Sequence, residues 1–173
     1  MRDTAYRTKS REHKGLTITI NWYFDIDSGQ PWKEHEGHGI VSDWTRRDKA
    51  PGERLLHSDG RSKLFYDFAA SVAIAKREGW DAKPYKTGTK GEQANRAVEA
   101  DFTYLKRWCE QSWWWCGYTI EIEGFDYPDG SIWGIESDSM NEIQAEAFDE
   151  AVERLDRELE ESQKAACSDI VTV

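Results

Sequence analysis

From Leu16 onward, apolar and polar residues alternate for twelve positions. Leu16, Ile18, Ile20, Trp22, Phe24 and Ile26 face one way, and Thr17, Thr19, Asn21, Tyr23, Asp25 and Asp27 the other. A period of two is the signature of a β-strand with one buried face, and such a strand needs neighbours to pair with. The chain supplies them. Gly39 to Thr45 reads as a second strand after the Ser28-Gly29-Gln30-Pro31 break and a loop from Trp32 to Gly39. Arg54–His57 and Ser62–Phe65 read as short strands around the turn Ser58-Asp59-Gly60. Later, Cys116, Tyr118, Ile120 and Ile122 alternate with Gly117, Thr119, Glu121 and Glu123. The turn Pro128-Asp129-Gly130 then sends the chain back through Ser131–Glu136 as a hairpin.

Helical spacing interrupts this pattern three times. Asp67 is a good N-cap for a helix carrying Phe68, Ala69, Val72 and Ala73, and Gly79 supplies its stop. After a linker-like stretch from Lys83 to Gly91, Thr89 and Glu92 form a capping-box signature. It opens a helix with Ala94, Ala97, Val98, Phe102, Leu105 and Trp108. Ser139 and Glu142 repeat that signature before a long helix to about Lys164. The expected fold is α+β, a mainly antiparallel sheet of about six strands with three helices packed on one face. Its expected limits are a flexible polar tail at 1–14, one domain at 15–165 and a short tail at 166–173, without internal repeats.

The 173 residues are 13% aromatic, nine of them tryptophan, which argues against disorder despite a mean hydropathy of -0.82. No apolar run approaches the 18 residues of a membrane span, and residues 1–15 lack the apolar segment of a secretory signal. A cytoplasmic protein is expected. Cys109, Cys116 and Cys167 are odd in number and form no Cys-x-x-Cys, which fits reduced thiols rather than a disulfide framework.

Few residues suggest catalysis. Glu34-His35-Glu36-Gly37-His38 combines imidazoles and carboxylates, ligands suited to zinc or a related ion, but no third ligand stands at a diagnostic spacing. A metal-dependent enzyme or metal-binding regulator centred on His35 and His38 is therefore the alternative reading, and no metal or other cofactor is assigned. Asp25, Asp27, Asp43 and Asp48 lack an accompanying nucleophile or positioned histidine. Gly88–Gly91 holds Lys90 without the spacing of a phosphate loop. Trp113-Trp114-Trp115 has acidic flanks, Glu110 before and Glu121, Glu123 and Asp126 after, so it reads as packing at a helix-to-strand junction rather than a base-stacking platform.

The formal net charge is -10, unevenly spread. Residues 1–107 hold 20 Lys+Arg and 16 Asp+Glu, residues 108–173 only 3 against 17. Direct nucleic-acid or membrane binding is disfavoured by long-range repulsion, though a local basic patch in the first half could override it. The last helix concentrates the excess. Met140, Ile143, Ala147, Phe148, Ala151, Leu155 and Leu159 fall within an arc of roughly 160° as the core face. Opposite them Glu142, Glu146, Asp149, Glu153, Asp156 and Glu160 form one ridge at spacings of three and four. Each adjacent like-charge pair costs about 0.2–0.5 kcal/mol, a loss that interleaved lysines would avoid. The ridge is thus a candidate docking surface for a basic partner. Residues 142–161 carry nine acids and two arginines over about 29 Å of axis. That is one net charge per roughly 4 Å, against about 1.7 Å for duplex DNA. A DNA mimic would need Glu121, Glu123 and Asp126 alongside, or a second copy of the chain as a homodimer.

The segments from Pro31 to Gly39, Tyr66-Asp67-Phe68-Ala69 and Ser131 to Ser137 resemble a family of small uncharacterised proteins encoded by tailed bacteriophages and related mobile elements. The resemblance runs from about residue 16 to 160 and carries no catalytic residue. It implies expression in the host bacterial cytoplasm and an accessory, anti-defence type of role. The expectation is a non-enzymatic phage protein that binds and inhibits a host protein with a basic surface, such as a nucleic-acid-binding defence protein.

Overall fold

The computed structural model describes residues 4–80, 87–126 and 130–170. Its α+β class and antiparallel pairing agree with the sequence pattern. The described residues form seven strands and four helices rather than six and three, and the strands make two sheets rather than one. The chain divides into two compact units, residues 1–26 with 114–173 and residues 27–113.

The first unit is a four-stranded antiparallel sheet, β1(Arg7–His13), β2(Leu16–Phe24), β6(Trp115–Ile122) and β7(Ser131–Glu136), in the order β1-β2-β6-β7, with α4(Met140–Ile170) on one face. Ile18, Ile20 and Trp22 of β2 pair with Ile122, Ile120 and Tyr118 of β6. These apolar residues pack with Ala147, Phe148, Ala151 and Leu155 of α4 in one core. The expected core face of the helix is therefore the buried one. On the opposite sheet face Trp133 lies over Gly117, where a Cβ would overlap the indole, and beside Tyr23.

The polar stretch 1–14, expected as a tail, holds β1 at residues 7–13. Its alternation is hidden because the positions facing the core side are Arg7, Lys9, Arg11 and His13, opposite Trp22, Ile20, Ile18 and Leu16. The last helix runs to Ile170, past the expected tail boundary at 166, after a single 3₁₀ turn at Ser137–Ser139. Pro128 and Asp129 of the expected hairpin turn lie outside the described residues, as do residues 83–86 of the expected linker.

The second unit is a three-stranded sheet, β3(Ile40–Val41), β5(Lys63–Asp67) and β4(Glu53–Ser58), in the order β3-β5-β4, with α1(Pro31–Glu34), α2(Phe68–Glu78) and α3(Lys90–Cys109). The one-turn helix α1 lies within what reads as a loop, and Pro31 opens it where a missing N–H costs nothing. Asp67 caps α2 by accepting from the Ala70 amide at 2.9 Å, and Gly79 ends it with φ 74°. Both halves of the Thr89/Glu92 capping box form. Leu56, Leu64 and Tyr66 of the sheet pack with Ala75, Ala94, Val98 and Leu105 of α2 and α3.

The sheet rims are guarded. β1 points cations toward the core side, β4 and β7 are broken by bulges, and β3 is two residues long.

Candidate functional site

Every carboxylate expected on the α4 ridge is at least partly exposed, but β1 reaches part of that row. Arg11 meets Asp149 at 2.9 Å. Asp156 takes His13 at 2.7 Å and Lys14 at 2.8 Å. Those contacts, the Lys14 bond first, hold the Asp156 carboxyl below its ordinary range. Glu160 faces Lys164 at 3.9 Å, and Arg154 faces Glu158 at 4.0 Å. The ridge is therefore not free of cations. The sequence hides this because the neutralising groups come from a strand about 140 residues away, inside a segment that looks like a tail. Glu142, Glu146 and Glu153 remain exposed and make no ion pair with a described residue, and exposed Glu150 stands beside them.

The other expected contact residues lie elsewhere. Glu121 accepts from the Asn21 amide at 3.1 Å and Glu123 from the Thr17 hydroxyl at 3.1 Å. Both alternate with buried Ile120 and Ile122, so they stand on the sheet face away from α4. They add no charge density to the helix. Asp126 is exposed beyond the end of β6. Glu121 and Glu123 thus do not join the α4 carboxylates in one surface.

In the His35–His38 loop, His38 is tied into the fold. His38 stacks on Tyr104 and its Nδ1 meets Asp101 Oδ1 at 2.7 Å. The other Asp101 oxygen accepts from the Gly39 amide at 2.8 Å and the Tyr66 hydroxyl at 2.7 Å. The Asp101 side chain is 9% exposed and that of His38 16%. Burial, then the Asp101 charge, pushes the Tyr66 hydroxyl well above its usual range, so it remains a donor. Gly39 lies so close to this knot that a Cβ would collide with the Tyr66 and Ser71 hydroxyls. His35 is exposed. Among the described residues no three His, Cys, Asp or Glu side chains stand close enough together to hold a metal ion. Sequence reasoning missed Asp101, although it sits among Val98, Phe102 and Leu105 on the apolar stripe of α3, an unusual place for a carboxylate.

The remaining candidates are engaged within the fold as well. Trp113 is buried against Tyr104, and Trp114 packs beside Tyr6 and Phe24. Burial raises the thiols of Cys109 and Cys116 to about 11, leaving little thiolate at neutral pH. The Asp25 carboxylate accepts from the Gly134 amide at 2.9 Å. Asp43 and Asp48 face Lys33 and Lys63 at 3.8 and 3.7 Å. Lys90 sits at the start of α3, whose first turn is already closed by Glu92.

No protein-family model matches the chain, and no curated protein and no solved structure is detectably similar to it. No helix among the described residues is long and apolar enough to cross a membrane.

Proposed function

We propose that the protein is a non-enzymatic accessory protein of bacteriophage type that docks on a basic surface of a host protein in the bacterial cytoplasm. The docking surface is narrower than the full ridge: Glu142, Glu146 and Glu153, with Glu150 between them. The observation that carries this reading is the distribution of charge. Residues 1–26 with 114–173 hold 19 Asp+Glu against 8 Lys+Arg, net -11, whereas residues 27–113 hold 14 against 15, net +1. The α4 carboxylates that make no ion pair with a described residue form one exposed row within the acidic unit, and such like-charge spacing is unfavourable for the isolated helix. The β1 ion pairs lower the helix charge further below that of duplex DNA, which favours an ordinary basic protein surface over a DNA-binding cleft.

Reversing Glu142, Glu146, Glu150 and Glu153 to lysine tests the reading without touching Asp149 or Asp156, whose reversal would also break the β1 contacts. In affinity capture from bacterial lysate, the native chain is expected to retain a basic protein that salt elutes. The reversed chain is expected to lose it and to bind the purified partner at least tenfold more weakly. Retention of the same protein by both chains would refute the proposal.

A further inference from the structure

β1 contributes no buried residue, yet it holds an edge position along a well-packed sheet. Its side chains explain how. Directly opposed residues share a sheet face, so Arg7, Lys9, Arg11 and His13 stand on the α4 side, over the margin of the core. Three groups at the strand's end bridge to the helix: Arg11 to Asp149, and His13 and Lys14 to Asp156, at 2.7–2.9 Å. Arg7 donates to Asn141 at 3.0 Å, and the Arg11 guanidinium lies 4.9 Å from the Phe148 ring centre. On the other face the cross-strand links are Thr8 to Asn21 at 2.8 Å, Ser10 with Thr19 at 3.1 Å and Thr17 to Glu12 at 2.9 Å. Apart from its main-chain ladder, the strand is held by exposed or half-exposed polar and charged contacts. The ion pairs among them weaken with ionic strength, whereas the apolar pairing of β2 with β6 does not.

We propose that β1 is an electrostatic latch. It closes over the rim of β2 when its cations hold Asp149 and Asp156, and opens when those charges are screened or removed. Opening uncovers the β2 edge and the Phe148 ring, and adds two carboxylates to the exposed α4 row. The latch follows from the β1–α4 contacts and holds whatever partner the acidic row takes.

Hydrogen–deuterium exchange of the intact protein tests it. Between 10 mM and 1 M NaCl the screening length falls from about 30 to about 3 Å. Over that range the amides of residues 7–13 are expected to exchange at least fivefold faster, about the worth of one well-placed surface ion pair. The amides joining β2 to β6 should hold their protection. The double variant Arg11→Gln, Lys14→Gln is expected to exchange at low salt as fast as the native chain does at high salt, with little further response. Salt-independent protection of β1 in the native chain overturns the latch, even if the variant fails to fold. So does a variant that keeps the native salt response.

Discussion

The two units dispose of their carboxylates in opposite ways. In the unit built on β2 and β6, the described core cluster carries no charged residue and the unit has a net charge of -11. In the unit of residues 27–113 the charges nearly cancel, and one carboxylate, Asp101, is drawn into the interior with three donors around it. Carboxylates in the two places do different work. Asp101 fixes backbone, because its loss strands His38, Tyr66 and the Gly39 amide in a dry region. The exposed glutamates Glu142, Glu146 and Glu153 make no ion pair with a described residue, so their removal is expected to leave the fold in place.

The sharpest way to break this contrast is to remove each kind of carboxylate. Asp101→Leu is expected to destabilise the protein by about 3–5 kcal/mol, the range for removing one partner of a buried pair. Urea unfolding followed by tryptophan fluorescence would show it as a fall in the midpoint. A loss below about 1 kcal/mol would mean the knot is decorative. Replacing Glu142, Glu146 and Glu153 together by Gln is expected to move stability by no more than about 0.5–1 kcal/mol, toward greater stability as like-charge repulsion is relieved. A large loss in that variant would show that the row is structural after all.

Acid gives the smallest and most discriminating effect. Carboxyls held below their ordinary range contribute stability above the unfolded-state value of about 4, and lose it as pH falls through the lower folded-state value. Glu53, beside Arg47, and Asp59, Glu78 and Glu92 belong to the unit of residues 27–113; Asp156 is the corresponding group in the other. Below pH 4 the amides of residues 27–113 are therefore expected to lose exchange protection before those joining β2 to β6. The reverse order would contradict the assignment.

How much of this was legible in the sequence follows the same division. Where burial alone decides, as in β2, β6 and the inner face of α4, the period of apolar residues is visible and the structure follows it. Where polar groups decide, periodicity is silent. β1 hides because the residues facing the core side are Arg7, Lys9, Arg11 and His13, which only make sense beside Asp149 and Asp156. The contact of His38 is invisible in the sequence because its partner in the fold, Asp101, lies 63 positions away. That the α4 acids share an exposed face is legible, since helical spacing fixes which side chains share a face. Their pairing was missed because spacing says nothing about neighbouring strands.

The inward-pointing cations of β1 have one more consequence. A second chain approaching that rim to add a strand would have to bury arginine and lysine beside its own backbone, and the bulged or very short rims elsewhere offer no better seam. While β1 stays in place, copies of this protein crowded together are thus steered away from zipping main chain to main chain at the described rims.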